Sequence, residues 1–342
     1  ADGNSALACS GALEYCTPSL APGRSIEVQA HASHMLANAA TTSVGREAIL
    51  ASPVANALLR LLPRAPQKVI SNVTAALANL AHSPEGKKVL SQDSTLRDLC
   101  NILDNEGISI DAKTRTAFTL GNIARGSESI SRRIIEAGAL QILSRLYLNP
   151  SSNSFDLVGA AAYALTNLSS SQLAKDRVDK EVILTASVKW FEHKAQALYD
   201  PVTRLVANTL PGVENLAYEL GLASLLMDLL LTSRDKLLLG VLAKALAVAA
   251  TDEKCRELLL SDSNFMHRLC MLLDDSSPEV QAGVCICYAQ LSYNELKKSL
   301  FNNAGISERI GKILDDVNAR GASTPQLQAV QKNATIALSR LH

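Results

Sequence analysis

The chain has 342 residues, more than one hydrophobic core usually organises, because such cores stop growing at about 250 to 300 residues. Hydrophobic residues make up 47% of it and aromatic residues only 4%, so alanine, leucine, valine and isoleucine must form the core. Lys plus Arg and Asp plus Glu each number 33, and the zero net charge argues against a general nucleic-acid binder. This composition excludes collagen-like, disordered and turn-rich all-β chains and favours repeated helices.

Residues 1–22 are predicted to form an N-terminal tail with a short capping helix over Ser5–Cys16, ahead of a repeat domain over 23–342. The seven cysteines are predicted to be reduced and mostly buried, because the chain lacks the cysteine density of a disulfide framework. No apolar stretch reaches the roughly 18 uncharged residues of a membrane span. We therefore expect a cytoplasmic protein that is recruited to a membrane or to the cell cortex, if at all, through a partner.

A short phrase containing asparagine recurs along the chain. Its full copies are Leu36–Ala39, Leu77–Leu80, Leu120–Ile123, Leu165–Leu168 and Val206–Thr209. Weaker copies carry Val248, Gln290 and Arg340 at the asparagine position. Successive positions lie 41, 43, 45, 41, 40, 42 and 50 residues apart, which indicates a repeat of about 42 residues over nearly the whole chain.

Each repeat is predicted to contain three helices. A basic residue followed by an apolar pair, as in the segment 46–50, indicates a short first helix. Three repeats then carry a glycine whose left-handed backbone conformation suits a turn between helices, namely Gly138, Gly221 and Gly305. The second helix is predicted over 140–148 and 306–314 in two of these repeats.

The third helix carries the asparagine, and in several repeats proline occupies its predicted first position, namely Pro66, Pro278 and Pro325. Apolar residues recur inside it at helical spacing, as at 117, 120, 123 and 124, so one face is predicted to be buried with the asparagine off that face. Pro201 and Pro211 predict that the helix bearing Asn208 loses a turn at its start, ends early and introduces a kink. Trp190 is predicted to be a core residue.

Longer intervals place extra, loop-like residues at 149–154 and 318–324, and whether these loops bind anything stays open.

Three helices in about 42 residues, with a long third helix that ends in Ala-Leu-x-Asn-Leu, resemble the armadillo repeat family. The resemblance covers about Gly23 to His342. It implies an all-α, right-handed α-solenoid, a superhelix of about eight armadillo repeats. It also implies that the asparagines face a concave groove, where their amides hold the backbone of an extended peptide.

Residues four and seven positions before the asparagine, and three after it, share its face of the third helix. The stripe they form contains polar, aromatic and basic residues and no carboxylate. The predicted peptide-binding residues are His34, Asn38, Asn79, Arg115, Phe118, Asn122, Arg125, Tyr163, Asn167, Arg204, Asn208 and Lys244. The cations favour acidic or phosphorylated side chains and the two aromatic rings offer apolar contact. The alternative is that the asparagines only tie neighbouring helices together.

We therefore predict a non-enzymatic scaffold or adaptor that binds an extended acidic segment of a partner protein. It differs from importin-α-like members, because the positions that hold tryptophan in those proteins are here His34, Ala75, Phe118, Tyr163 and Arg204. One alternative is a regulator of an enzyme, such as an exchange factor, co-chaperone or ligase subunit, that grips a folded domain. A nucleic-acid-binding solenoid is disfavoured, because only two repeats place an aromatic residue in the stripe. Self-association through the last repeat, which carries Arg340, is compatible with each of these functions.

The sequence contains no catalytic signature of the G-x-G-x-x-G, Walker A, G-x-S-x-G or H-E-x-x-H type. His31 and His34 lie three residues apart on one helix face, but no cysteine or carboxylate beside them completes a metal site. We accordingly predict no catalytic residue, no metal and no cofactor.

Overall fold

The computed structural model of the chain describes residues 11–149, 154–293 and 295–342, which contain helices and turns and no strand. Two units are distinguished by their internal contacts, the first ending at Val178 and the second beginning at Asp179. The helices of the first unit are α1 (Ala12–Ser19), α2 (Ile26–Ala39), α3 (Ser43–Ala51), α4 (Val54–Leu61), α5 (Gln67–Leu80), α6 (Pro84–Leu90), α7 (Asp93–Asp104), α8 (Ile110–Ala124), α9 (Glu128–Glu136), α10 (Ala139–Leu148), α11 (Phe155–Leu168) and α12 (Gln172–Arg177), with a 3-10 turn at Leu62–Arg64.

The second unit is built in the same way. Its helices are α13 (Lys180–Glu192), α14 (Gln196–Thr209), α15 (Leu216–Glu219), α16 (Leu222–Thr232), α17 (Lys236–Ala249), α18 (Glu253–Ser261), α19 (Ser263–Leu272), α20 (Pro278–Leu291), α21 (Glu295–Asn303), α22 (Ile306–Arg320) and α23 (Pro325–Leu341). Every third helix from α2 onward is a long helix that carries the asparagine position of its repeat.

The long helices stack on one another in chain order within each unit. In the first unit α2 packs on α5, α5 on α8 and α8 on α11. In the second unit α14 packs on α17, α17 on α20 and α20 on α23. Each repeat therefore covers the apolar stripe of its neighbour, and the predicted all-α solenoid fold is confirmed.

The core lies between these stacked helices. The leucine two residues before each asparagine is buried, with Leu36, Leu77 and Leu120 at 0% exposure and Leu165 at 3%. Burying one such side chain contributes about 1.5–3 kcal/mol to stability, so the recurring leucines hold the repeats together. Trp190 is also buried, as predicted.

The helix boundaries follow the predicted turn chemistry. Gly138, Gly221 and Gly305 have φ of +94°, +68° and +72°, the left-handed conformation that the turn between helices requires. Proline begins α20 and α23, as predicted. Pro66 instead occupies the N-cap position, one residue before α5 begins.

Two predicted interruptions are wrong. The helix with Pro201 is not shortened, because α14 spans 14 residues, as α2 and α5 do, and contains Pro201 inside it. It also ends at Thr209, one residue after Asn208, just as α5 ends one residue after Asn79. A proline within a helix removes one backbone hydrogen bond, and packing against neighbouring helices outweighs that loss here.

Predicted loop boundaries also change. The helix α22 continues to Arg320, so only 321–324 of the predicted segment 318–324 connects helices. Residues 150–153 of the segment 149–154, and 5–10 of the capping helix, lie outside the described residues. The part of the capping helix that is described is α1, which packs against α2 and α4.

Six cysteines lie among the described residues, and all six are free thiols, five of them buried. Burial raises the pKa of Cys100 to about 11 and the pKa of Cys285 and Cys287 to about 12. These thiols stay protonated at neutral pH and act as small apolar core residues. The described part of the chain contains no helix with the length and apolarity that a membrane crossing requires.

Candidate functional site

The predicted site residues of the first unit lie on its long helices, in their C-terminal halves except for Arg115, or directly after them. We name this surface the Asn face, and its members are His34 and Asn38 on α2, Asn79 on α5, Arg115, Phe118 and Asn122 on α8, Arg125 directly after α8, and Tyr163 and Asn167 on α11. Asn38 is exposed, and Asn79 and Asn167 are half-buried. The Asn face is therefore open to solvent at most of its amides.

Some amides connect adjacent long helices. The Asn79 Nδ2 donates to the carbonyl of Ala37 at 3.1 Å, and the Asn72 Nδ2 donates to the carbonyl of Ala30 at 3.1 Å. The last repeat of the second unit shows the same pairing, again with the two bonds two helical turns apart: Asn333 Nδ2 donates to the carbonyl of Ala282 at 2.8 Å and Arg340 Nη1 to that of Ala289 at 3.1 Å. Part of the asparagine pattern thus stabilises the stack, which is the alternative that the sequence left open.

Substituting Asn79 with alanine is expected to lower the free energy of unfolding by about 1 kcal/mol, because the hydrogen bond to the Ala37 carbonyl is lost. The matched control is Asn38→Ala. Within the described residues that side-chain amide bonds only to the exposed His34 side chain on its own helix, at 3.2 Å, so we expect a change below about 0.5 kcal/mol. Urea denaturation followed by circular dichroism measures the stability of both variants. Equal destabilisation would contradict a stabilising role for the hydrogen bond between Asn79 and the Ala37 carbonyl.

Asn122 differs from the other amides because it is only 6% exposed, so the prediction that it lies off the buried face is wrong. The cause is Tyr163 of the next repeat, whose hydroxyl donates to the Asn122 Oδ1 at 2.7 Å. Phe118 stays 40% exposed, and its ring centroid lies 5.6 Å from that of Tyr163. The Asn167 Nδ2 donates to the carbonyl of Tyr163 at 3.0 Å. An aromatic pair therefore lies between two of the amides.

The stripe itself contains no carboxylate, but two of its arginines pair with aspartates that lie just outside it. Arg115 pairs with Asp111 at 3.0 Å, and Arg204 in the second unit pairs with Asp200 at 2.8 Å. Each aspartate lies one helical turn before its arginine, so part of the positive charge expected on this face is neutralised. Arg125 is exposed and has no ion pair within the described ranges.

Arg125 belongs to a cluster with three further basic side chains, Arg46, His82 and Lys87, which sequence reasoning missed as site residues. The Lys87 Nζ donates to the Arg125 carbonyl at 2.9 Å, and Arg46 Nη1 donates to the carbonyls of Ala40 and Thr41 at 3.1 and 3.0 Å. Burial, followed by the charges of Arg46, Arg125 and Lys87, lowers the pKa of His82.

Burial, followed by the charge of Arg125, also lowers the pKa of Lys87. These four residues form a cationic edge at the C-terminal ends of α2, α5 and α8, where positive charge complements the helix dipoles. The repeat spacing could have pointed to two of these residues, because Arg46 and Lys87 each lie eight residues after the asparagine of their repeat.

The second unit carries the remaining predicted residues. Asn208 and Arg204 are half-buried on α14, and Lys244 is exposed on α17. The described ranges contain no group of three or more metal-ligating side chains.

Comparison with known proteins gives a fold and no family. No family model matches the chain, and no curated protein shows significant similarity to it. The crystal structure of an engineered protein is similar with a TM-score of 0.73 and 25% identity, over 99% of this chain and 80% of that one. A designed armadillo repeat protein has a TM-score of 0.42 and 22% identity, over 96% of this chain and 100% of that one. The first similarity extends over nearly the whole chain and concerns the fold alone.

Proposed function

We propose that the chain is a non-enzymatic, armadillo-type scaffold or adaptor of the cytoplasm that binds an extended acidic segment of a partner protein along its Asn face. The observation that carries this proposal is the aromatic pair of the exposed Phe118 and the half-buried Tyr163, whose rings lie beside the amides of Asn122 and Asn167. Aromatic side chains that are partly open to solvent and flanked by polar groups are typical of a surface that binds another protein.

The remaining hydrogen-bonding capacity of the amides suits a peptide backbone. Asn79 and Asn167 each use one N–H within the protein, and each keeps its side-chain oxygen as an acceptor. Asn122 uses its oxygen and keeps its NH2 group as a donor. The acceptor oxygens of Asn79 on α5 and Asn167 on α11, with the donor NH2 group of Asn122 on α8 between them, can pair with the alternating N–H and C=O groups of an extended peptide.

The charges on this surface favour an acidic or phosphorylated ligand. The cationic edge of Arg46, His82, Lys87 and Arg125 borders the Asn face. Guanidinium groups bind carboxylates and phosphates through paired N–H donors. In the second unit we propose the same chemistry for Arg204, Asn208 and Lys244. Nucleic acid is not the expected ligand, because stacking rings occur on α8 and α11 and not in every repeat.

The size of the ligand follows from the helix spacing. Four long helices that pack about 8–10 Å apart cover about 30 Å, which an extended peptide of about nine residues spans. A library of random peptides of about twelve residues, displayed on phage and selected on the immobilised protein, is therefore long enough to test the proposal. We expect the enriched peptides to be rich in aspartate and glutamate.

Substitutions at the Asn face are expected to weaken binding of the synthesised consensus peptide. Phe118→Ala and Arg125→Glu should each raise its Kd at least about tenfold, because they remove an apolar contact and an ionic contact. The matched control is Phe155→Ala, since Phe155 is 46% exposed and lies off the Asn face. Fluorescence anisotropy measures all three variants. Enrichment of basic peptides, no enrichment, or unchanged binding by both Asn-face variants would contradict the proposal.

A further inference from the structure

A second concave feature of the first unit lies outside the Asn face. It is a cleft of about 720 Å3 between the end of α1, the start of α2, the helix α4 and the turn at Leu62–Arg64. None of its lining residues belongs to the Asn face or to the cationic edge. Its volume falls in the range of about 300–1,000 Å3 that is usual for small-molecule sites.

The walls of the cleft are apolar and stiff. Leu20, Leu61 and Ala57 contribute buried apolar surface, and Ile26 is 42% exposed at the opening. Four prolines complete the lining, namely Pro18, Pro22, Pro63 and Pro66. A proline carries no backbone N–H and has a fixed φ, so these walls offer few donors and hold their shape without a ligand.

The polar groups of the cleft are mainly cationic. Arg24, Arg60 and Arg64 line it, and no carboxylate does; even Glu27, next to Ile26 in the chain, is not part of the lining. All three arginines are exposed, and the described part of the chain offers none of them an ion pair. The Arg24 Nε donates to the Pro18 carbonyl at 3.2 Å, which keeps that guanidinium at the wall.

We propose that this cleft binds an aliphatic chain that carries an anionic head, either a carboxylate or a phosphate. The chain lies against the leucine and proline walls, where its burial removes apolar surface from water. The head lies among the three guanidinium groups, which bind planar or tetrahedral oxyanions through paired N–H donors. An apolar ligand without charge leaves the arginines unpaired, and a cationic ligand is repelled, so the head decides the selectivity.

Isothermal titration with decanoate tests the proposal, with decyltrimethylammonium as the ligand of the same chain length and opposite charge. We expect decanoate to bind at one site and decyltrimethylammonium not to bind. The double variant Arg60→Gln, Arg64→Gln should weaken decanoate binding at least about tenfold, because two charged hydrogen-bonding partners are lost. Decyl phosphate and inorganic phosphate, titrated in parallel, distinguish a preference for the head group from binding of the free anion.

The matched control is the double variant Lys68→Gln, Arg132→Gln, which removes two exposed positive charges of the same unit that do not line the cleft. It should bind decanoate like the original chain. Arg60→Lys, Arg64→Lys keeps the charge, and retained binding there shows that the loss in the glutamine variant is not a loss of folding. Equal binding of the cationic and anionic amphiphiles, absence of saturable binding, or full binding by the glutamine variant would overturn the proposal.

Discussion

Gly86→Ala is expected to lower the free energy of unfolding of the first unit by about 3 kcal/mol, since overpacking against backbone is costly. Gly86 lies in the first turn of α6, directly against the end of α5. A Cβ atom there would lie 1.9 Å from the Leu80 carbonyl oxygen and 2.6 Å from the Leu80 carbonyl carbon. Both atoms belong to the backbone, so the helices must move apart before a side chain fits.

The hydrogen bonds around Gly86 leave little room for such a movement. The Leu80 carbonyl accepts from the Ser83 N–H at 3.1 Å and from the Ser83 hydroxyl at 3.1 Å. The Ser83 hydroxyl oxygen accepts in turn from the Gly86 N–H at 3.1 Å, which caps the N-terminus of α6. Moving α6 away from α5 therefore weakens the cap as well as the packing.

Urea denaturation measures the effect, and hydrogen exchange of the α5 amides localises it to this repeat. The control in the same unit is Gly107→Ala, because a Cβ there meets only the Asn105 side-chain oxygen, at 3.3 Å. That variant should change stability by less than about 0.5 kcal/mol. Gly45→Ala should reproduce the loss, since its Cβ would lie 1.8 Å from the Ala39 carbonyl oxygen. Similar stability of the Gly86 and Gly107 variants would contradict this account of the packing.

Gly121→Ala is expected to destabilise the first unit by about 2 kcal/mol and to abolish peptide binding at the Asn face. A Cβ at Gly121 would lie 2.7 Å from two ring carbons of Tyr163 and 3.1 Å from the Ala164 Cα. The ring must then leave its place, and its hydrogen bond to Asn122 and its contact with Phe118 are lost. One added methyl group thus changes both the stack and the proposed ligand surface.

A double-mutant cycle with Tyr163→Ala separates these effects. Without the ring, most of the steric conflict at Gly121 disappears, so Gly121→Ala should cost at least about 1 kcal/mol less in that background. The residual cost reports the contact with the Ala164 backbone. Chemical denaturation of the four proteins gives the coupling energy. A coupling energy near zero would contradict the claim that the Tyr163 ring is the reason why position 121 requires glycine.

The fold could be predicted from the sequence because its evidence is repeated along the chain. A leucine and an asparagine two residues apart return about every 42 residues, and the glycine turns fall between them at the same place in several repeats. A helix that exposes one apolar stripe must bury it against a neighbour, so a regular repeat determines a stack. Single prolines were weaker evidence, since α14 accommodates Pro201 within a helix of ordinary length.

The candidate site could be predicted only in part. Helical periodicity placed His34, Phe118 and Lys244 on exposed positions, where the structure also has them. It did not predict that Asn122 is buried, because the side chain that covers it, Tyr163, lies 41 residues further along the chain. Nor did it reveal the cationic edge, whose members come from three different repeats: Arg46 lies on α3, Lys87 on α6, and His82 and Arg125 just after α5 and α8.

Periodic burial along one helix is a local property, so the order of residues fixed the helices, their turns and the leucines that face the core. The partners of each polar side chain are not local. Whether an asparagine binds a neighbouring carbonyl, as Asn79 does, or receives a tyrosine hydroxyl, as Asn122 does, depends on what the adjacent repeat brings within 3 Å or so. Packing between repeats sets that distance. A shift of a few tenths of an ångström breaks a hydrogen bond but leaves apolar side chains buried, so the pattern of apolar residues predicts the stack and not its polar contacts.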